Sequence, residues 1–456
     1  MTTNKNNNLK RRLFSAAHSL LLLIACYWLW NKPITFSDES GFIKLVNIAK
    51  KYLHSDNAVP DNILLVNVAY DRDLVDYYEN GIPAGKIDIT DRNKLFELFQ
   101  YLGKDSSYKY IVCDVFFDAT LKTPIDDSLF TLMGKMPRLV VPMHKDGKIF
   151  PSQLESKAAY ADYKTNLIEN NFLKFQYIQD EKKSIPLFMW EELTGGSFNS
   201  HCLWYSMNGK LATNSIILDF KVTMQEQYNK KDDYYENNYL NLGADLLELL
   251  REVYPENYFK DKIILIGDLT EHDIHDTTVG AIPGVLINYN AFLMLIQEKV
   301  AVSGGLLFLL FVVFLITSFL IISQKKFSEL IGVAKIKQKI RQFFVKIYDK
   351  FKTVRLLKFF LWLARMLVKI KNNRFVQFLL SFIGYSFLLC CLNLLIYRIW
   401  GHFIEVLILG GWLAFCNDIC KLFKHNKNEK KNHYNNGGDC VLPQSFGAGF
   451  AENNVS

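Results

Sequence analysis

The sequence predicts an extracytoplasmic α/β domain, with a mixed, largely parallel sheet flanked by helices, attached to four transmembrane α-helices. Three observations carry this prediction: four long apolar segments, a separation of acidic from basic residues along the chain, and short apolar runs that alternate with helical patterns. Continuous apolar strands are typical of parallel sheets, because helices cover both faces of such sheets.

Four segments have the length and composition of membrane spans, which need about 20 apolar residues as α-helix. They are residues 13–30, 304–323, 376–397 and 402–420. Only the short sequence RIWG joins the last two, so we expect a helical hairpin there.

The charged residues predict the membrane topology. Residues 1–12 hold four basic and no acidic residues, residues 325–374 hold fifteen basic and two acidic ones, and residues 13–324 have a net charge of −11. Basic flanks favour the cytoplasmic side. We therefore expect residues 1–12, segment 324–375 and a flexible tail, 421–456, to be cytoplasmic, with domain 31–302 outside the inner (plasma) membrane. This pattern concerns topology and does not indicate nucleic-acid binding.

The first span has alternative interpretations. We favour an uncleaved anchor, because residues 27–30 (YWLW) continue the apolar run as an interfacial aromatic belt. A cleaved signal peptide is one alternative. Another is a bacterial lipoprotein, since residues 23–26 (LIAC) fit a cleavage box that would leave Cys26 lipidated. Each alternative leaves domain 31–302 outside.

Segment 324–375 is too charged to span a bilayer. Within residues 346–371, apolar side chains recur at helical spacing opposite a basic face. Such a helix is suited to an anionic inner leaflet, and a solvated connector explains the pattern equally well. Whether it binds lipid or protein stays open.

Strands and helices of the extracytoplasmic domain follow from apolar runs and capping residues. Strands are predicted at 63–70, 110–117, 139–143 and 262–267, a loop around residues 81–85, and helices from Thr90 or Asp91 and over 284–297. Residues 150–240 give mixed signals. The domain has two cysteines, Cys113 and Cys202, and we do not favour a disulfide between them.

Four carboxylates stand just past predicted strand ends: Asp71, Asp73, Asp118 and Asp268. Ligands of open parallel sheets bind outside the carboxyl ends of the strands. We therefore predict that these side chains converge on a ligand.

The segment DKIILIGDLTEHDIHDTTVGAIPGVLINYNAFLML, residues 261–295, joins a hydrophobic strand ending in glycine to D-x-T-x-x-G and then P-G-V. Upstream, IVCDVFFD contains a D-x-x-F element, and Arg92 opens the first long helix. Together these motifs resemble the CHASE2 family over about residues 31–300. The family's aromatic residue and proline before Arg92 are replaced here by ITD.

This resemblance implies an extracytoplasmic sensory module with one membrane helix before it and usually three after it, as the spans above also indicate. It implies structural positions at Arg92, Asp114, Gly267, Pro283 and Gly284, and ligand-binding positions at Asp276, Thr278 and Gly280. The start of the helix at Gly284 suits a small molecule or anion. A purely architectural role for these residues is at least as well supported.

A cluster of potential metal ligands lies between Glu271 and Asp276. His272 and His275 are weak candidates for a divalent metal, and a hydrogen-bonded polar loop is the favoured interpretation. We expect no cofactor. No nucleophile elbow, phosphate-binding loop or paired-cysteine metal site appears in the sequence, so we expect no enzymatic activity.

The predicted function is that of a sensor or accessory subunit. It would bind an unknown small ligand or envelope protein outside and act on a separate signalling partner inside, since the tail is too short to bury a core. A homodimer is compatible with the sequence. The alternative is a non-switching membrane scaffold or docking protein. A transporter is disfavoured, because no span carries a paired intramembrane charge.

Overall fold

The computed structural model describes residues 2–32, 41, 43–44, 62–79, 81–145, 149–162, 172–224, 238–252, 257–324 and 374–436. The chain divides into two compact units. Residues 20–313 and 387–409 form the first, which holds the α/β domain, and residues 1–19, 314–386 and 410–456 form the second.

A six-stranded parallel sheet forms the centre of the first unit. Its strands are β1 (Ile63–Asn67), β4 (Tyr110–Asp114), β5 (Leu139–Met143), β6 (Ala158–Tyr160), β14 (Tyr239–Asn241) and β15 (Ile263–Gly267). They lie in the order β14-β1-β15-β4-β5-β6, and every described pairing between neighbours is parallel. The predicted largely parallel sheet is confirmed, with β1 and β4 three residues shorter than the predicted runs.

Helices cover both faces of this sheet. They are α2 (Arg92–Lys104), α3 (Asp126–Lys135), α4 (Ile185–Thr194), α5 (Glu248–Glu252) and α6 (Gly284–Ile296), with a 3₁₀ helix at Ser152–Lys157 and a π-helical segment at Leu242–Leu247. Alternate residues of β1 point to opposite faces: Leu64 packs in the core with α2 and α3, and Leu65 packs in the core with α4 and α6.

The start of α2 illustrates how the sequence sets a boundary. The Asp91 carboxylate accepts hydrogen bonds from the backbone N–H groups of Asn93 and Lys94, which satisfies donors left free at the first turn. The helix then buries an apolar stripe that follows the 3.6-residue period: Leu95, Leu98, Phe99 and Leu102.

The loop predicted around residues 81–85 is wrong, because β2 (Arg72–Glu79) and β3 (Ile82–Thr90) form an antiparallel hairpin there. Gly81, with φ +81°, serves the turn, and Gly85, with φ +122°, lies at a β-bulge. The two glycines therefore belong to a turn and a bulge of a strand pair, and not to an open loop.

Smaller strands complete the first unit. Strand β7 (Lys174–Gln176) pairs with β13 (Ser215–Ile217), and β10 (Phe198–Ser200), β11 (Tyr205–Met207) and β12 (Lys210–Ala212) form a three-stranded sheet. The remaining strands form two hairpins: β8 (Ile178–Gln179) with β9 (Lys182–Lys183), and β16 (Ile274–Thr277) with β17 (Gly280–Pro283). Cys113 is buried and Cys202 exposed, and both are free thiols.

Four helices have the length and hydropathy to cross a membrane. They are α1 (Thr2–Trp30), α7 (Gly304–Ser323), α8 (Arg374–Trp400) and α9 (Val406–Asn436), with apolar windows at Leu9–Trp30, Gly304–Ser323, Arg374–Tyr397 and Val406–Lys424. The chain is a multi-pass membrane protein.

Two boundaries of the last span differ from the prediction. Residues 402–405 are not helical, and α9 continues past Cys420 to Asn436. The sequence from 421 to 436 contains no glycine or proline, so nothing in it stops the helix, and the first part of the predicted flexible tail is helical. Residues 437–456, and the predicted amphipathic helix within 346–371, lie outside the described residues.

In the second unit, polar side chains join the four helices. His18 Nδ1 of α1 lies 2.8 Å from Ser318 Oγ of α7, and its Nε2 accepts a hydrogen bond from Trp412 Nε1 of α9 at 3.1 Å. Asn417 of α9 donates to Ser381 Oγ of α8 at 3.1 Å. These contacts fix the facing sides of helices that are otherwise apolar.

Candidate functional site at the carboxyl edge of the sheet

The parallel strands all end at one edge of the sheet, and Asn67 organises the backbone there. This side chain is fully buried. Its Oδ1 accepts hydrogen bonds from the N–H groups of Ala69, at 3.2 Å, and Leu269, at 3.0 Å, and its Nδ2 donates to Asn241 Oδ1 at 3.0 Å. One amide thus joins the carboxyl end of β14 to the chain segments that follow β1 and β15.

A cleft of about 650 Å³ opens at this edge, and we call it the carboxyl-edge cleft. The β2–β3 hairpin forms one wall, and the residues after β4, β5, β6 and β15 form the others, together with the start of α6. Its polar lining residues are Arg72, Asp88, Thr90, Asp114, His144, Asp162, Asp268, His272, Asp273, His275 and Asn288.

Asp268 is an anchor for the loop that follows β15. Burial tends to raise its pKa, but backbone N–H groups of Glu271, Thr270 and His272 donate to its carboxylate, and the pKa is lowered overall. Arg72 Nη2 also donates to Asp268 Oδ2 at 3.3 Å and lies 3.0 Å from His272 Nδ1. The ionised Asp268 therefore ties the hairpin to this loop.

Among the carboxyl groups that line the cleft, Asp273 and Asp114 have raised pKa values. Burial, followed by repulsion from Asp114 and Asp268, raises the pKa of Asp273 to about 8, although 36% of its side chain is exposed towards solvent. Burial raises the pKa of Asp114 to about 6. Both carboxyl groups therefore ionise at a higher pH than an ordinary aspartate.

Neighbouring side chains hold these two carboxyl groups in place. His275 Nε2 lies 2.7 Å from Asp273 Oδ1, and burial lowers the pKa of this imidazole. Asn288 Nδ2 of α6 donates to Asp114 Oδ2 at 3.2 Å. A Cβ added at Gly284 would lie 2.2 Å from Asp273 Oδ2, so glycine is needed there for the close approach of the carboxyl group.

Of the seven residues predicted to bind ligand, Asp268 lines the cleft. The four carboxylates predicted to converge do not meet there. The Asp71 carboxylate accepts from Lys94 Nζ at 2.6 Å and from Gly243 N at 3.0 Å. Asp73 is exposed on β2 beside a separate depression, and Asp118 Oδ1 accepts from Thr120 N at 2.8 Å.

The D-x-T-x-x-G positions lie on the β16–β17 hairpin rather than in the cleft. Asp276 is exposed, and its backbone carbonyl accepts from Phe172 N at 2.7 Å. Thr277, rather than Thr278, closes the turn by donating from Oγ1 to the Gly280 carbonyl at 2.6 Å. Gly280, with φ +116°, adopts a backbone conformation that favours glycine.

The residues predicted as structural have defined contacts. Asp114 and Gly284 line the cleft. The Arg92 guanidinium is buried 3.2 Å from Asp126 Oδ1 and lies over the rings of Phe117 and Phe130. A Cβ at Gly267 would lie 3.3 Å from Val285, and Pro283 immediately precedes α6.

The sequence does not predict Asp162 as a site residue, because strand β6 before it has only three residues. In the structure its Oδ1 lies 2.7 Å from Nδ1 of His144, a residue that the sequence leaves without a partner. The signal that was available is the apolar triplet AAY at residues 158–160.

The two weak metal candidates bind different carboxyl groups. His272 lies against Asp268 and Arg72, and His275 against Asp273. Among the residues that the structure describes, no group of three or more histidine, cysteine, aspartate or glutamate side chains is arranged to hold a metal ion.

One comparison with known proteins identifies the region that contains the cleft. The family model of the CHASE2 domain matches residues 45–322, which span the described strands of the central sheet, the cleft and α7. No curated protein and no solved structure matches the chain.

Proposed function

The chain belongs to the CHASE2 family, and we propose that it is a sensor that binds a small ligand in the carboxyl-edge cleft and relays this binding to a separate cytoplasmic signalling partner. The CHASE2 domain is an extracytoplasmic sensory domain, and here it is part of a multi-pass membrane protein.

The cleft is the observation that carries the proposal. It lies outside the carboxyl ends of parallel strands, where open α/β sheets bind their ligands. Its volume of about 650 Å³ suits a small molecule. Two of its carboxyl groups have pKa values raised by burial, and perturbed groups of this kind concentrate at functional sites.

A buried junction supports the relay. Lys174 on β7 lies 3.7 Å from Glu405, directly before α9, and its Nζ donates to the Leu29 carbonyl near the end of α1 at 3.2 Å. The Lys174 and Glu405 side chains are 5% and 3% exposed. A movement of β7 would therefore act on the ends of two membrane helices through Lys174.

Further hydrogen bonds connect the same parts. Trp30 Nε1 donates to the Phe403 carbonyl at 2.7 Å, and Ser215 Oγ on β13 donates to the Trp30 carbonyl at 2.6 Å. Within the second helical hairpin, Asn393 and Ile404 exchange hydrogen bonds of 2.8 and 2.7 Å. A network of this kind transmits a change only if it has two arrangements that ligand distinguishes.

The proposed topology places both termini in the cytoplasm and the domain on the outer side of the inner membrane. Its support is the charge asymmetry of the sequence. The basic segment 324–375 is the proposed contact with the signalling partner.

A thermal-shift screen of the full-length protein in lipid nanodiscs, against a library of small polar metabolites, tests ligand binding. We expect at least one compound to raise Tm in wild type and in Asp73→Asn, an exposed position outside the cleft, but not in Asp114→Asn. Asp114→Asn removes a buried charge and keeps the shape, so it does not threaten folding. If no compound gives a shift that depends on Asp114, the cleft is not the ligand site.

A further inference from the structure

We infer that the turn formed by residues 201–204 (HCLW), between β10 and β11, inserts its apolar tip into the outer surface of the lipid bilayer. We call it the 201–204 turn. This contact holds the α/β domain against the membrane at a point outside the spanning helices, and it does not depend on the carboxyl-edge cleft.

The tip of the 201–204 turn is apolar and uncovered. Leu203 is 85% exposed, the largest fraction among the exposed large apolar side chains that the structure describes, and Trp204 is 43% exposed. A single exposed leucine is ordinary on a protein surface, whereas tryptophan is highly buried on average. The two adjacent side chains therefore indicate a surface that contacts something other than water.

Hydrogen bonds attach this turn to the outer end of α1. Directly after the turn, Tyr205 N donates to the Tyr27 hydroxyl at 3.0 Å, and the same hydroxyl donates to the Ala212 carbonyl at 2.8 Å. Tyr27 lies three residues before Trp30, where the apolar window ends, or about 4.5 Å along the helix axis. The interfacial layer of a bilayer is roughly 5–7 Å deep on each side, so the turn is attached at the level of this layer.

The start of α7 holds the same small sheet. Val302 N donates to the Leu211 carbonyl on β12 at 2.8 Å, and Ala212 forms an antiparallel bridge with Ala301. Helix α7 begins two residues later, at Gly304. The three-stranded sheet that carries the turn is thus joined to the ends of two membrane helices, and these ends place it at the bilayer surface.

A second tryptophan marks the same level on α1. Trp28 is 57% exposed, and Lys32 Nζ lies 4.8 Å from the centroid of its ring. Tryptophan is enriched where a span leaves the membrane, because its ring is apolar and its N–H is polar. Trp204 is held beside Tyr27, the neighbour of Trp28, and therefore belongs to the same aromatic belt.

The turn is preformed for contact with an apolar surface. His201 N donates to the Trp204 carbonyl at 2.8 Å, and the two rings stack with their centroids 3.9 Å apart. Polar backbone groups that leave water cost free energy unless they are hydrogen-bonded, and this bond reduces the cost. Only the Leu203 tip and the Trp204 ring enter the apolar layer. Cys202 stays in the hydrated headgroup layer, where a water-soluble maleimide still reaches it.

The small size of the tip favours lipid over a protein partner. Stable protein interfaces bury about 800 Å² on each partner, far more than Leu203 and Trp204 offer together. Lipid insertion has no such requirement here, since the spanning helices already hold the domain at the membrane. The exposed side chains also continue a surface that the ends of α1 and α7 define.

Tryptophan fluorescence tests this inference on the full-length protein in nanodiscs. The nanodisc phosphatidylcholine carries quenching bromine atoms near the headgroup end of its acyl chains, or none. The difference between each protein and its Trp204→Phe counterpart isolates the emission of Trp204. We expect brominated lipid to remove at least half of this emission in wild type.

Two matched variants separate insertion of the tip from mere proximity to lipid. Leu203→Asp places a charge at the tip and should at least halve the quenching of Trp204. Ile82→Asp should leave it unchanged, because Ile82 is also exposed but lies on the β2–β3 hairpin at the carboxyl edge, from which α6 leads away towards α7.

Three outcomes would overturn the inference. Emission of Trp204 that aqueous iodide quenches and brominated lipid does not would show a solvated turn. Emission that neither reagent quenches would show that protein covers the turn, as in a contact with a second copy of this chain. Lipid quenching that Leu203→Asp leaves unchanged would show that Trp204 lies near lipid without insertion of the tip.

Discussion

The pKa of the Asp273 side chain is set by the groups around it. Its carboxyl group lies against Gly284 and His275, near Asp114 and Asp268, and burial with this repulsion raises its pKa to about 8. A carboxyl group with a raised pKa binds more protons in the folded than in the unfolded chain over the interval between the two pKa values. The free energy of unfolding therefore falls as pH rises through that interval.

This linkage predicts the behaviour of Asp273→Asn. We expect the Tm of the variant, relative to wild type, to increase between pH 6 and pH 8.5, because only wild type loses stability as Asp273 ionises. The slope should stay below about 1.4 kcal/mol per pH unit, since the partly exposed side chain is screened by solvent. Scanning calorimetry across this range checks the prediction. Parallel Tm curves would show that Asp273 ionises normally.

Arg92 represents the opposite case, a charge held inside the core. Its side chain is 2% exposed and contacts Asp126, and Asp126 Oδ1 also accepts from Thr123 Oγ1 at 2.6 Å. Arg92→Met should destabilise the domain by about 3 kcal/mol, the low end for breaking a buried pair, because Asp126 keeps its hydrogen bonds to Thr123. Urea unfolding measures this loss.

Two further variants sharpen that test. Asp126→Asn in the Arg92→Met background should recover part of the stability, since it removes the stranded charge. Lys135→Met, at an exposed position on α3, should change the unfolding free energy by less than about 0.5 kcal/mol. Equal effects of Lys135→Met and Arg92→Met would contradict the importance of the buried pair.

The strands of the domain differ in how well the local sequence pattern predicts them. Strand β15 is predictable because five consecutive buried apolar residues leave few alternatives. The β2–β3 hairpin is not, since most of its side chains are exposed and no face shows an apolar alternation. The order of the strands is also absent from the sequence, because β15, the last strand of the sheet in the chain, inserts between β1 and β4.

The same reasoning explains what could be predicted of the cleft. Asp268 follows a strand that the sequence identifies, so its place at the carboxyl edge is predictable. Asp162 and Asp88 come from short or exposed strands, and their place in the cleft depends on tertiary packing. Asp71 also follows a strand, but its carboxylate bonds to Lys94 instead, a choice that no local pattern shows.

The junction between β7 and the membrane helices yields a prediction at the scale of elements. Lys174→Met removes the ion pair between Lys174 and the buried Glu405, so we expect a loss of about 3–5 kcal/mol. The double variant Lys174→Met/Glu405→Gln removes both charges and should lose less than Lys174→Met alone. Thermal unfolding of the three proteins in nanodiscs tests this order. A double variant that is less stable than Lys174→Met would contradict the pairing.

At the scale of the whole molecule, the proposed topology requires the α/β domain to lie on the outer side of the inner membrane. Cys202 is an exposed free thiol of this domain, whereas Cys113 is buried in β4. A membrane-impermeant maleimide added to intact cells should therefore label wild type and should fail to label Cys202→Ser. Labelling of wild type that appears only after lysis would place the domain in the cytoplasm and contradict the proposed topology.

A sensor requires that ligand binding in the cleft changes the conformation or dynamics of the membrane helices. Hydrogen–deuterium exchange of the full-length protein in nanodiscs measures this most directly, with and without a compound whose thermal shift depends on Asp114. We predict slower exchange at residues 268–284 together with altered exchange at residues 400–405 in wild type, and only the first change in Lys174→Met/Glu405→Gln. Protection at 268–284 with no change at 400–405 in wild type would contradict the sensor and favour a scaffold that binds without switching.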